Sequence, residues 1–247
     1  MGIVTALPEE RRAVLASASQ VRKQMIDGCP LYDALLADRQ ICVIEGGMGA
    51  EAALGAARLL LGARQPGLLL SVGFCGAVQT GAVVGDAVIC RHLLILDSNR
   101  LTEITPPGNE HVAARLAANL QDCGINIWQG SFITTRQIIS KPELARTISP
   151  NLPTPVLEME SAAVASEAAK AGIPFAAVRI VSDDAGEELL FSLDELTGAN
   201  RQISIFKVLV TCLKKPRIIP QLARLAANSA KAAKNLGIIC RILIRQI

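Results

Sequence analysis

Residues 155–188, PVLEMESAAVASEAAKAGIPFAAVRIVSDDAGEE, leave this chain the fewest ways to fold. A short apolar run ends in the acids Glu158 and Glu160 and passes into small residues at helical spacing. Gly172 and Pro174 stop that helix, and a second apolar run, residues 175–181, closes on Ser182, Asp183 and Asp184. A strand, a helix and a strand in close succession predict parallel pairing. Ligands of open α/β sheets bind at the carboxyl ends of parallel strands, and both acid clusters fall there.

At 247 residues the chain is long enough for one large domain with a substantial core. The seven cysteines (29, 42, 75, 90, 123, 212 and 240) are scattered and mostly sit in apolar runs, with no CxxC or CxxH spacing. They predict buried thiols in a reducing compartment and no metal site. The amino terminus, MGIVTALPEERR, lacks the basic-then-apolar pattern of a signal peptide, so the expected location is cytoplasmic. Net charge is only +3, but residues 196–247 carry ten Lys or Arg and no acid, against a net −7 for residues 1–195. The expected organisation is a catalytic domain over 1–195 and a basic, amphipathic helical extension over 196–247 packed on it.

In order, residues 2–7 predict a strand, and Pro8 opens a helix at about Glu9. Glu10 then lies just past a strand's carboxyl end; taken alone, it reads as an acid complementing the helix dipole. Residues 31–45 predict two strands with a turn at 37–39. The second runs into Gly46, Gly47, Met48 and Gly49 and then a helix, a junction where backbone can closely approach an anion or a ribose. The dinucleotide fingerprint is incomplete there, with Ala where the third Gly belongs and no acid closing the next strand, which argues against a bound dinucleotide cofactor. Further strands are expected at 68–71, 83–90, 93–96 and 127–135, with Gly85 and Asp86 marking a turn, and a helix at 109–122. His92 reads as a surface residue and Trp128 as core or interface. Beyond Glu195 the pattern is helical, broken at Pro216 and Pro220. Its basic face reads either as an outer packing helix or as a peripheral membrane-surface element.

The blocks Ala6-Leu7-Pro8-Glu9-Glu10, Gly47-Met48-Gly49-Ala50, Gly73-Phe74-Cys75-Gly76 with Val84-Gly85-Asp86, Glu158-Met159-Glu160-Ser161-Ala162 and Arg179-Ile180-Val181-Ser182-Asp183 together resemble the nucleoside phosphorylase superfamily. Within it they look most like the methylthioadenosine/S-adenosylhomocysteine nucleosidases. The resemblance implies a three-layer α/β/α fold with a mixed, partly barrel-like central sheet, usually assembled as dimers or larger homo-oligomers. It also implies hydrolysis of an adenine nucleoside, a small-molecule partner rather than a nucleic acid, and no cofactor.

Residue by residue, the resemblance makes Asp183 the acid that protonates purine N7 and Ser182 the group that orients it. Glu160 would hold the ribose 2′ and 3′ hydroxyls, and Met159 would pack on the ribose face. Glu10 and Arg179 would bind and activate the attacking water, with Glu10 as base. The backbone near Ile139 would read the purine edge, while Phe74 and Gly47 line the substrate. Asp184 is one residue out of register with the acid. Phosphorolytic members carry Arg and Ser at the places of Ser71 and Phe74, so loss of the guanidinium favours water over phosphate as nucleophile. Phe74 also makes the pocket wall more apolar. The tail from Pro216 resembles the hopanoid-associated branch, implying removal of adenine from adenosylhopane. A protein that binds nucleosides or a membrane surface without catalysis is the reading from another class.

Overall fold

The computed structural model describes residues 1–98, 100–120, 123–137, 139–186 and 218–246. In chain order the elements are β1 (Gly2–Thr5), α1 (Pro8–Leu15), β2 (Ser19–Ile26), β3 (Cys29–Leu36), β4 (Arg39–Glu45), α2 (Ala50–Arg64), β5 (Leu69–Ala77), β6 (Ala87–Asp97), β7 (Arg100–Ile104), α3 (Asn109–Asn119), β8 (Ile127–Thr135), α4 (Lys141–Thr147), β9 (Pro155–Glu158), α5 (Ser161–Lys170), β10 (Phe175–Asp183) and α6 (Ile219–Gln246).

Alternation along the central strands decides what the sheet separates. On β10, Ala176, Val178 and Ile180 enter one apolar cluster with residues of α1, α3 and α6. Phe175, Ala177 and Val181 enter another with α2 and α5. A strand apolar on both faces has to be covered on both, which produces the three layers the family resemblance implied.

The sheet is mixed and closes on itself. β10 pairs with β5 in parallel and with β6 antiparallel; β6 pairs with β8 in parallel, β8 with β9 in parallel, and β9 with β5 antiparallel. These five strands form a closed barrel-like unit, and from β5 the sheet continues through β1, β4, β3 and β2. The expected parallel run of β9 and β10 is not found: β10 runs with β5 and β9 runs against it, so the two point in opposite directions, and the parallel neighbour of β9 is β8. The two strands expected at 83–90 and 93–96 are instead one long β6, irregular between Cys90 and His92, and Val83 and Val84 lie in the turn before it. A shift of register at an irregularity swaps the faces of the following residues, so the sequence pattern breaks where the chain does not. β2 was not expected: its side chains are mostly exposed, which removes the apolar alternation that marks a strand. His92 is at the surface, its Nδ1 2.8 Å from Glu103, and Trp128 donates Nε1–H to Asp86 at 2.9 Å.

The helical pattern expected between Glu195 and Pro216 and the boundary at 195/196 lie outside the described residues. What is described of the tail is α6, whose Ala232, Leu236, Ile239, Cys240, Leu243 and Ile244 are buried in the cluster shared with α1 and β10. Lys231 and Asn235 donate to the carbonyls of Val84 and Gly85, fastening α6 to the turn before β6. No described helix is long and apolar enough to cross a membrane.

Gly237 sits where α6 crosses α1, and a Cβ there would lie 2.8 Å from the Ala13 carbonyl oxygen. In an exposed helix Gly→Ala stabilises by about 1 kcal/mol. Here Gly237→Ala is expected to lower stability by roughly 1–3 kcal/mol through overpacking. Urea denaturation checks the sign, and a raised midpoint would show that the two helices can move apart freely.

Candidate active site

Glu10 is the third residue of α1, and its side chain folds back over the helix start. Oε2 accepts from the N–H groups of Ala6 and Leu7 at 2.8 and 2.9 Å, and Oε1 accepts from the Phe74 N–H at 2.9 Å. The cap therefore ties α1 to β5 as well as satisfying helix-entry donors. Gly73 makes this approach possible, since a Cβ there would stand 2.5 Å from Oε1. Burial pushes the Glu10 carboxyl above its ordinary range, opposed by the Arg179 guanidinium and the three backbone donors.

Arg179 is 2% exposed in the middle of β10. It lies in the alternation that points to α2 and α5. Its Nη2 donates to Glu158 Oε2 at 2.8 Å and to Ser71 Oγ at 3.0 Å, and lies 3.7 Å from Glu160 Oε2. Glu158 Oε2 also accepts from the N–H groups of Glu160 and Ser161, and its Oε1 accepts from the Thr134 hydroxyl. The acid thus stands at the amino terminus of α5, where unpaired N–H groups and the helix dipole favour a negative charge. Burial works against the Arg179 charge, but Glu158, Glu160 and Glu10 outweigh it and hold the guanidinium proton more tightly than usual.

Glu160 is the residue before α5. Its Oε1 accepts from the Gly49 N–H at 2.8 Å and its Oε2 from the Met159 N–H at 3.3 Å. Gly49, at φ +94°, and Gly47, at φ +95°, adopt conformations that favour glycine and bring the start of α2 up to this carboxylate. Burial, and then the charge of Glu158, push the Glu160 carboxyl up to about 7.

A second group lies at the end of β10. The β5 pairing shifts between Val181 and Asp183, leaving Ser182 as the extra residue. Such a bulge re-aims the side chains that follow it. The Ser182 hydroxyl donates to Asp183 Oδ1 at 2.8 Å, with the Cys75 carbonyl at 3.3 Å, while Lys141 Nζ donates to Asp183 Oδ2 at 2.6 Å. Asp184 is turned aside, accepting from the Val84 N–H at 3.1 Å.

Of the residues expected at a site, Glu10, Phe74, Arg179, Met159 and Glu160 share one network of hydrogen bonds and close charges. Asp183 and Ser182 share the second. The buried Cys75 thiol, pushed well up by burial, feels Arg179 and Glu158 from the first network and Asp183 and Lys141 from the second. Gly47 bonds to the Ala6 carbonyl beside the Glu10 cap. Ile139 is half-buried against the small cluster that includes α4. Three participants were not foreseen. Ser71, noted only as the replacement of an arginine, is a partner of Arg179. Glu158 is its ion pair, and the two-residue spacing to Glu160 was an available signal. Lys141 carried no motif.

Residues 1–214 match the family model described as the phosphorylase superfamily. The chain belongs to that superfamily. Curated relatives in it include the 5′-methylthioadenosine/S-adenosylhomocysteine nucleosidases of Psychromonas ingrahamii, 27% identical over 208 residues, and of Listeria monocytogenes, 28% identical over 218 residues. The alignments cover 79% of this chain in each case, and 90% and 91% of the relatives. Solved structures share the fold. The Neisseria meningitidis nucleosidase with methylthio-immucillin-A has a TM-score of 0.75 at 16% identity, covering 100% of this chain and 98% of that one. The futalosine hydrolase of Helicobacter pylori has a TM-score of 0.76 at 16% identity, covering 100% and 97%.

The raised Glu160 carboxyl has a consequence for folding. The folded chain holds that proton more tightly than the unfolded chain, so this contribution to stability is fullest below about pH 4.5 and is lost as pH climbs through about 7. Glu160→Gln, which cannot ionise, is expected to flatten the fall in Tm between pH 5 and 7.5. Calorimetry on both proteins checks it, and parallel curves would contradict a raised Glu160.

Proposed function

We propose that the chain is a purine nucleosidase that hydrolyses the N-glycosidic bond of an adenine nucleoside carrying a bulky apolar or thioether 5′ substituent. The observation that supports this most is the surplus of acid around one buried cation, with Glu10, Glu158 and Glu160 all acting on Arg179. Breaking a ribosyl C–N bond develops positive charge on the sugar, and a site already short of cations favours that charge.

In this reading Asp183 donates a proton to purine N7 as the bond breaks, held in orientation by Ser182. Glu160 accepts hydrogen bonds from the ribose hydroxyls, and Met159, fixed by its neighbour's carboxylate, packs against the ribose face. Glu10 removes a proton from the attacking water. Backbone donors fill three of its four lone-pair sites, two on Oε2 and one on Oε1, which leaves one site on Oε1 for the water. Arg179 steadies Glu10 and Glu160 electrostatically. The backbone at Ile139 reads the purine edge, and Phe74 and the Gly47 turn line the remainder. Ser71 and Phe74 stand where phosphorolytic members carry Arg and Ser, which supports water as the nucleophile.

The 5′ group is proposed more narrowly. The apolar Phe74 and the tail that resembles the hopanoid-associated branch favour adenosylhopane, with methylthioadenosine and S-adenosylhomocysteine next. A dimer, and peripheral membrane contact through the basic tail, belong to the same proposal.

Adenine release across these substrates, with and without phosphate, tests the reaction. Release independent of phosphate is expected, whereas ribose-1-phosphate as product would make the chain a phosphorylase. No release from any substrate, with nucleoside still bound, would make it a binding protein. Asp183→Asn is expected to lower kcat on purine nucleosides by about 10²–10⁴-fold with little change in KM; unchanged turnover would discard the acid.

The free-enzyme pH profile carries a further expectation. Glu160 must be ionised to grip the ribose hydroxyls and favour a cationic sugar, so kcat/KM should fall as pH drops through about 7. A profile flat from pH 5 to 8 would remove Glu160 from that role.

A further inference from the structure

Lys141 is the first residue of α4 and only 8% exposed. Helix stability does not explain a cation there, because positive charge at a helix amino terminus opposes the dipole. The Ser140 cap, which accepts from the Glu143 N–H, fixes the start of the helix and so fixes where Lys141 begins. Its Nζ donates to Asp183 Oδ2 at 2.6 Å and to the Asp184 carbonyl. β5 makes room for the pair: a Cβ on Gly76 would lie 2.7 Å from Asp183 Oδ2 and 3.3 Å from Lys141 Cδ. Two strands, a helix start and a glycine thus converge on one Lys–Asp contact.

A carboxylate that accepts from an ammonium on one oxygen and a hydroxyl on the other has its transferable proton on the nitrogen. We infer that Lys141 and Asp183 work as one acid, Lys141 supplying the proton that Asp183 delivers to the departing base. This rests on the nucleosidase reading above. As the C1′–N9 bond breaks, its electron pair stays with the purine. The Lys141 ammonium gives a proton to the Asp183 carboxylate as Asp183 passes a proton to purine N7, so that Asp183 ends as it began, and the attacking water gives one to Glu10. Glu10 and Lys141 then exchange protons with solvent to restore the starting state. Lys141 acts through Asp183 and touches no part of the nucleoside.

The test compares two leaving groups in the wild type, Lys141→Met and Lys141→Arg. Methylthioadenosine must have its base protonated, whereas 4-nitrophenyl β-D-riboside releases a stable anion. Lys141→Met is expected to lower kcat on methylthioadenosine by about 10²-fold or more, with KM changed less than about threefold and kcat on the nitrophenyl riboside nearly kept. Lys141→Arg keeps a charge at Asp183 but holds its proton, so it should restore Tm without restoring purine turnover. Equal losses on both substrates, full rescue by Arg, or unchanged purine turnover in Lys141→Met would each overturn the inference. A wild type that cleaves neither substrate would overturn the nucleosidase reading, and this inference with it.

Discussion

A guanidinium that is 2% exposed in the middle of a strand has to be compensated, and much of the structure around β10 follows from how that is done. Desolvating a charge costs several kcal/mol, and stranding it by removing one partner costs about 3–5 kcal/mol. Arg179 meets this with Glu158, which in turn needs the Thr134 hydroxyl and the N–H groups that open α5. Ser71 adds an acceptor from β5. One charge thus engages β10, β9, β8, β5 and α5, and four of these are strands of the closed unit. Charge compensation ties together four of the five strands whose backbone pairing closes the barrel. The account does not balance within the protein, however. Three carboxyls face one guanidinium, and burial answers by raising Glu10 and bringing Glu160 to about 7. In the proposed reaction a cationic sugar supplies the missing positive charge.

The glycines of β5 belong to the same economy of space. The sequence suggested a strand ending before GFCG, because glycine usually ends apolar runs. The strand in fact continues to Ala77, and each glycine clears a place for a carboxylate: Gly73 for Glu10, Gly76 for Asp183 with Lys141. A strand can give up side chains where another element's charged group must come within hydrogen-bonding distance of its backbone. Both candidate proton-transfer groups are therefore positioned against one strand, three residues apart.

This explains what was legible and what was not. The strand–helix–strand succession of residues 155–183, the GMG turn and the Glu10 helix start could be read locally, since each combines period, breakers and an acid within a few residues, whereas the opposite directions of β9 and β10 could not. Barrel closure could not, because it depends on β9 meeting β5 and on β10 meeting both β5 and β6, pairings with no sequence signature. Lys141 was invisible for the same reason. Its partner lies 42 residues away, and only its position against the helix dipole hinted at a use other than stability.

The tail shows where a periodic pattern is ambiguous in principle. An apolar stripe on a basic helix serves equally against a core or against lipid, but one stripe cannot do both at once. In α6, Leu236, Ile239, Cys240, Leu243 and Ile244 are buried on the sheet side, while Lys234, Arg241 and Arg245 face out. That stripe is closed to lipid, so contact with a membrane would fall to the exposed Ile219 at the helix start and to attraction by the outward charges. Such attraction amounts to about 1 kcal/mol per basic residue near an anionic surface and fades within a Debye length. The buried stripe makes this helix a wall of the fold, whatever its basic face meets.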